Sequence, residues 1–301
     1  MKYTTKKSAT LIETVMEIYH GVSKQKAKQI ISHSDFLIEG NKIDKHPKSI
    51  IEAGKILEIQ KENKSIENKL PNRNNPVSIH FEDNYLIVAL KPPGILSCGD
   101  KSNLNNKTFQ KLLENYIFNR DEYKKRLWII HRLDKEVEGL IMFAKNEEIQ
   151  IEIKENWNRV EKRYLALCEN RPKQDEGFIE SWLKEGQHQK VLSYPKEIEG
   201  SKYAKTTYQY LRKEKAYHLL ELLLHTGRKN QIRVQLESIG CPIVGDRKYG
   251  ADDSVKRQVR LAAYKLEFQH PVTDEKIRLE YKPISRFFNP SKNEDEDYKI
   301  V

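Results

Sequence analysis

The run Trp128-Ile129-Ile130-His131-Arg132-Leu133-Asp134 delivers an imidazole, a guanidinium and a carboxylate into one turn, and a second apolar run, Gly139 to Ala144, leaves it. A carboxylate held at the rim of a sheet beside a fixed cation can act as a nucleophile or as a proton acceptor on a bound substrate. The same letters also suit a plain surface turn, because Asp and Gly are ordinary turn residues and exposed Arg–Asp pairs are common. Three further segments weigh against the plain turn. Lys91-Pro92-Pro93-Gly94-Ile95 is a rigid turn after the apolar run YLIVAL. Glu161-Lys162-Arg163-Tyr164 opens a strand with a basic pair and a tyrosine, which joins a stacking face to a phenol oxygen. Past Thr226-Gly227 a helix begins that carries Arg228, Lys229, Gln231 and Arg233. Its start is positive by side chains and by helix dipole, which suits a phosphate or a carboxylate.

These groups need elements to hold them. From Val77 onward short β-branched runs alternate with turns: SIHF, YLIVAL, LWII, GLIMFA, RYLALC and LLELLLH. Helical stretches are fewer, at 107–118, 146–157 and 230–239. Many strands lying close together predict an α+β fold over 77–290, a mixed, mainly antiparallel central sheet with flanking helices and loops. Residues 1–63 read as a separate small α/β unit. Leu11, Val15, Ile18 and Tyr19 recur at helical spacing, Gly21 breaks the helix, and Ser23 caps a second one, KQKAKQIISHS. Strands follow at Phe36-Leu37-Ile38 and Ile56-Leu57-Glu58-Ile59. Lys24, Lys26 and Lys28 sit on the second helix with no acid between them, as a solvated face does. Residues 64–76 are polar, Asn-rich and Pro-containing, a linker by composition, and 291–301 form an acidic tail.

Lys and Arg number 54 against 44 Asp and Glu, a net charge of +10 that suits a polyanionic partner. Cys98, Cys168 and Cys241 form neither a metal pair nor a disulfide framework, which fits a reducing cytoplasm. There is no secretory h-region and no apolar run of about 18 residues, so a soluble protein that does not cross a membrane is expected, and with no long exposed apolar face, a monomer. No His or Cys spacing supports a metal. A glycosidase would call for two facing carboxylates about 5–9 Å apart, and one well-supported acid is present.

In the order HRLD, K-R-Y, TGRxxQIR and GxPIxGDxxYG, with KPPG ahead and LAAYKLEFQHPVTDE behind, the chain resembles the RluA-type family of RNA pseudouridine synthases from Val77 to Pro290. Residues 1–63, on GVSKQKAKQIISHSDFLIEGNKI, resemble the small alpha-L RNA-binding domain that precedes the catalytic domain in many such enzymes. The resemblance implies isomerisation of uridine in structured RNA, ribosomal rather than transfer RNA, without cofactor or metal. It implies that Asp134 acts at the anomeric carbon, as nucleophile or as base. Arg233 would pair with Asp134 and lower its pKa. Tyr164 would lie against the uracil and take the proton from carbon five. Arg132 would hold the flipped nucleotide or fill the gap it leaves. RNA contacts fall to His131, Arg132, Arg228, Lys229, Gln231, Lys24, Lys26 and Lys28, whereas His225 reads as structural. The chain also departs from the family. HRLD is followed by Lys135-Glu136-Val137-Glu138-Gly139 where two residues and then Thr-Ser-Gly are usual, which sets Glu138 close to an anionic ligand. Asn230, Gln235 and Ala262 stand where histidines are frequent. Those changes leave a second expectation open, a catalytically weakened member that binds or remodels RNA.

Overall fold

The computed structural model describes residues 2–19, 22–32, 34–61, 77–99, 107–121, 126–252 and 258–290. The expected linker, the acidic tail and the helix-breaking Gly21 lie outside the described residues. The chain divides into two compact units, 1–66 and 67–301.

In the first unit Thr10 and Glu13 satisfy each other's backbone N–H groups, a capping box that starts α1 (Leu11–Ile18) directly after β2 (Ala9–Thr10). The apolar positions Leu11 and Val15 meet Ala27, Ile30 and Ile31 of α2 (Lys24–Ser32). Phe36, Leu57 and Ile59 close this core from a four-stranded sheet. Its antiparallel order is β1 (Lys2–Thr4), β6 (Ile56–Lys61), β3 (Ser34–Ile38) and β4 (Asn41–Lys42), and β2 pairs with β5 (Ile50–Ile51). The carbonyl of Ser23 accepts the Ala27 N–H at the start of α2. Lys24 and Lys28 are exposed on that helix, and the side chain of Lys26 is outside the described residues.

The second unit is built on one mixed sheet of eleven strands. In chain order its elements are β7 (Ser78–Glu82), β8 (Leu86–Lys91), α3 (Phe109–Asp121), β9 (Trp128–Ile129), β10 (Glu138–Ala144), α4 (Glu147–Glu155), β11 (Glu161–Cys168), β12 (Glu176–Glu185), β13 (Val191–Tyr194), β14 (Lys202–Glu214), β15 (Tyr217–Leu224), α5 (Gln231–Ser238), β16 (Leu261–Gln269), β17 (Lys276–Glu280) and α6 (Ser285–Phe288). Across the sheet the order is β13-β12-β14-β15-β11-β16-β10-β8-β7, with β17 on β16 and β9 on β10. All its pairings are antiparallel except β10 with β16. β8 and β10 are buried along their whole length, as near-continuous apolar runs require when both faces are covered. Among the described residues no helix is long and apolar enough to cross a membrane.

The parallel pair fixes one position absolutely. Gly139 sits opposite Ala263 at φ +133°, a conformation L side chains rarely adopt, and a Cβ there would lie 2.4–2.7 Å from the Ala263 backbone. Backbone cannot yield as a flexible side chain can. Gly139→Ala is therefore expected to lower the unfolding free energy by about 3 kcal/mol or more. Urea titration would read this as a lower midpoint at unchanged slope, and a wild-type midpoint would refute the packing argument.

Candidate active site

The turn that carries Asp134 is clamped from below. Ser97 Oγ donates to the Leu133 carbonyl at 2.7 Å and accepts the Leu133 N–H at 3.0 Å. Gly94 N–H donates to the Lys135 carbonyl at 2.7 Å, and Val137 N–H closes the turn on the Asp134 carbonyl at 3.1 Å. Lys91 lies beneath, fully buried, with Nζ donating to the carbonyls of Pro92, Ile95 and Lys135 at 2.8, 2.9 and 3.2 Å. Burial pulls this ammonium down to about 7, while Glu136, Asp134 and Glu138 pull it back up. The rigid KPPG turn thus gains a role its letters alone did not disclose: it anchors the backbone on both sides of Asp134.

Over the turn, Arg233 of α5 is held first by Asp246. Its Nε donates to Oδ2 at 2.6 Å and its Nη2 to Oδ1 at 2.8 Å, a bidentate pair whose side chains are 6% and 1% exposed. The remaining Nη1 reaches Asp134 Oδ2 at 3.3 Å and Glu136 Oε2 at 3.4 Å. One guanidinium is shared by three carboxylates. Asn230, in a left-handed conformation at the head of α5, completes the cage. With its amide nitrogen toward the carboxylate it donates to Asp134 Oδ2 at 2.7 Å and Oδ1 at 3.2 Å, and its oxygen accepts from the Tyr249 hydroxyl at 2.9 Å.

The electrostatic outcome differs from the expectation of a lowered carboxylate. Burial is the largest influence on Asp134, and it outweighs Arg233, with Glu136 and Asp246 adding repulsion; the carboxyl stands above its ordinary range. Because Arg233 is already neutralised by Asp246, the pairing orients Asp134 more than it acidifies it. Tyr164 lies on β11 where a bulge shifts the register against β16 between Arg163 and Tyr164. Burial and the charge of Asp134 push its phenol well above the ordinary range. Tyr164, Ala263 and Gly139 form one cross-strand row.

The other expected site residues divide. Arg132 is exposed two positions before Asp134. His131 is committed to the fold: its Nε2 accepts the Met142 N–H at 3.1 Å, and its ring stacks on Trp157 at 4.8 Å, with Lys162 on that same indole. Burial and Lys162 push His131 down to about 3, so it is a neutral acceptor. Gln231 is likewise internal, its Oε1 accepting from Thr226 Oγ1 and Arg228 N–H and its Nε2 donating to the Lys205 carbonyl and Thr206 Oγ1. Arg228 and Lys229 are exposed on the loop before α5, with Lys229 paired to Glu185. His225 meets Thr207 Oγ1 at 2.8 Å.

Glu138 is a correction. It is buried rather than set beside a ligand, 3.4 Å from the Tyr281 hydroxyl that donates to it. Burial pushes it up to about 7 against the pull of Arg286 and Arg260. Val137 is buried as well. The two departures from Thr-Ser therefore point into the protein. Asp246, Glu136, Asn230 and Lys91 were not singled out as site residues from the sequence. Asp246 lay in view inside the GxPIxGDxxYG motif, whose spacing from α5 gave no sign that it would grip Arg233.

Residues 85–238 match the RNA pseudouridylate synthase family. A ribosomal large subunit pseudouridine synthase D of Borreliella burgdorferi is 33% identical over 70% of this chain and 67% of its own. One of the same description from Nitrosomonas europaea is 35% identical over 65% of this chain, and the match spans 59% of that relative's length. The solved structure of human RNA pseudouridylate synthase domain containing 4 superposes with a TM-score of 0.57 at 25% identity, over 69% of this chain and 89% of that one.

Asp134 is protonated more readily than an ordinary carboxyl partly because Glu136 repels it. Glu136→Gln removes that repulsion, so the Asp134 carboxyl should titrate lower, by a small amount because the Glu136 side chain is 43% exposed and screened. A carbon-13 NMR titration of the Asp134 carboxyl checks the sign. An upward shift would mean that Glu136 acts by holding Arg233 in place rather than by charge.

Proposed function

The chain belongs to the RNA pseudouridylate synthase family, and we propose that it isomerises uridine to pseudouridine in structured RNA, with ribosomal RNA as the substrate. The observation that carries the proposal is the carboxylate of Asp134, gripped from two sides by Arg233 and Asn230 at the mouth of a clamped turn. The reaction breaks the bond between C1′ and N1, turns the base, and joins C1′ to C5; N1 gains a proton and C5 loses one. A flipped nucleotide exposes C1′ to Asp134. A desolvated carboxylate is reactive there as nucleophile or as base, and either use requires it ionised. Its raised pKa sets the cost: activity is gained as pH rises through the Asp134 titration, which lies above the usual carboxylate range.

Tyr164 enters as a neutral phenol, suited to stack on the uracil ring. Part of what opposes its ionisation is the charge of Asp134. Removal of the C5 proton follows the joining of C5 to C1′, which makes that carbon tetrahedral and its proton acidic. Arg132 and Arg228, both exposed, are the side chains taken to meet phosphates. The first unit, with Lys24 and Lys28 exposed on α2, supplies a second RNA contact in the manner of an alpha-L domain. The reading further takes the enzyme as a cytoplasmic monomer that uses no metal or cofactor. The relatives named for the large ribosomal subunit support ribosomal RNA. The rival reading, a catalytically weakened RNA clamp, drew on the excess positive charge and on the departures from the family pattern, of which Val137 and Glu138 are buried.

Asp134→Asn keeps the size of the side chain and one acceptor oxygen while removing its charge. It is expected to abolish pseudouridine formation, by at least about 10³-fold, with RNA affinity within about threefold of wild type. Pseudouridine mapping of ribosomal RNA from a deletion strain complemented with each form is the test. Full modification by the asparagine variant would remove Asp134 from the chemistry.

A further inference from the structure

At the β13 end of the sheet, one face is packed and the other is bare. Ile179, Ser181 and Leu183 of β12 and Ala204 and Thr206 of β14 are buried, and Gln235 of α5 hydrogen-bonds into them. On the opposite face Phe178 is 62% exposed, Tyr203 is exposed and Trp182 is half-buried. Trp182 pairs with Tyr203 on one side and with Tyr194 on the other, so directly opposed residues make a three-strand aromatic row. The Trp182 and Tyr203 rings meet edge to face at 5.3 Å. Phe178 lies four residues along β12, about 13 Å away at strand rise, with the Lys205 ammonium 4.8 Å above its ring.

A solvated sheet face ordinarily carries polar residues, and this one carries aromatics edged by cations. Its central acid, Glu180, is already engaged by Lys205 at 2.8 Å and by the Tyr203 hydroxyl at 2.7 Å. Lys184, on the same face as Trp182, and Arg228 carry no salt bridge among the described residues. Arg228 Nε donates to the Tyr203 carbonyl at 3.0 Å. Arg228 also belongs to the short loop that ends at Asn230, the residue against Asp134. The aromatic face and the Asp134 site therefore share one basic loop.

We propose that this face is a stacking platform for unpaired nucleotides of the RNA that flank the target uridine, an inference that rests on the RNA-modifying reading above. Aromatic rings on a sheet stack any base, and neighbouring cations hold the backbone. Phe178 and the Trp182 row make two stations, spaced for about two extended nucleotides. Arg228 carries the strand from the catalytic rim onto them.

The probe is a fluorescein-labelled octamer of uridine, together with a hairpin RNA substrate bearing a single-stranded flank. A Phe178→Ala, Trp182→Ala, Tyr203→Ala variant is expected to bind the octamer about tenfold more weakly, with its circular dichroism and melting cooperativity retained. For the hairpin substrate KM should rise by a similar factor while kcat stays put. Trp182→Leu keeps apolar area without a π face, so it should lose most of the octamer binding, whereas Trp182→Phe should keep it and lose the octamer's quenching of tryptophan fluorescence. Wild-type octamer affinity in the triple variant would overturn the platform, as would full affinity in Trp182→Leu, which would mark the face as a protein-docking surface. The two readings fail separately. A wild-type chain that forms no pseudouridine but loses octamer binding in the triple variant refutes the catalytic assignment and supports the platform. A catalytically competent chain with unchanged KM and affinity in the triple variant refutes the platform alone.

Discussion

The guanidinium of Arg233 is the joint on which the catalytic unit turns. It arrives from α5, is gripped by Asp246 from the segment ahead of β16, and touches Asp134 and Glu136 from the turn between β9 and β10. Three stretches of chain about a hundred residues apart at the extremes thus meet on one planar cation. The Asp246 segment is itself tied down, with Val244 N–H on the Leu167 carbonyl and Arg260 N–H on the Val244 carbonyl, so it bridges the end of β11 to the start of β16. Burying such a cluster carries a large desolvation cost, and removing one partner of a buried pair typically destabilises by about 3–5 kcal/mol. The arrangement is therefore poor at adding stability and good at fixing geometry. That distinction explains the raised carboxyl of Asp134. A cation devoted to one acid would lower it; a cation divided among three, in a site where burial dominates, holds it in position and leaves it basic.

The backbone answers to the same need for closeness. Parallel pairing brings β10 against β16 at Gly139 and Ala263, where no Cβ fits, and the next strand over carries Tyr164 at a register shift. Small residues in two strands set the third strand's tyrosine at a bulge, a common device for re-aiming a side chain beside an active site. Ala262, one residue before, is fully buried opposite Glu138. A histidine at that position would have to find room and a partner inside the sheet.

How much of this was legible depended on whether a residue announced its role by type or by neighbour. The apolar runs of β8, β10, β11 and β15 announce themselves, and the helices at 109–121, 147–155 and 231–238 carry enough periodicity to be read within a few residues. β12, β13 and β14 escaped notice. Their inward positions include Ser181, Ala204 and Thr206, small or polar because Gln235 reaches in and bonds Ser181 Oγ, Thr206 Oγ1 and the carbonyls of Ile179 and Ala204. Their outward positions carry Phe178, Trp182 and Tyr203, so the alternation that marks a half-buried strand is inverted. Within the site, Asp134, Tyr164 and Arg233 were readable from motif order. Asp246, Asn230 and Lys91 were not, because what matters there is which groups face each other across 13 to 99 residues of sequence.

Glu138 shows how a departure from family pattern can leave the surroundings of Asp134 undisturbed. Read along the chain, an acid four positions from Asp134 looks like a second charge in the substrate's path. In β10 successive side chains alternate faces, and Glu138 is drawn to the side where Tyr281, Arg260 and Arg286 can answer its charge. Val137 buries its side chain while its N–H closes the Asp134 turn, a task any residue but proline can perform. Lys91 braces the same turn from beneath, spending all three ammonium protons on backbone carbonyls. The turn is thus held by backbone groups and by buried charges behind it. Side chains at 137 and 138 lie inside the protein, and the contacts that hold Asp134 do not run through them.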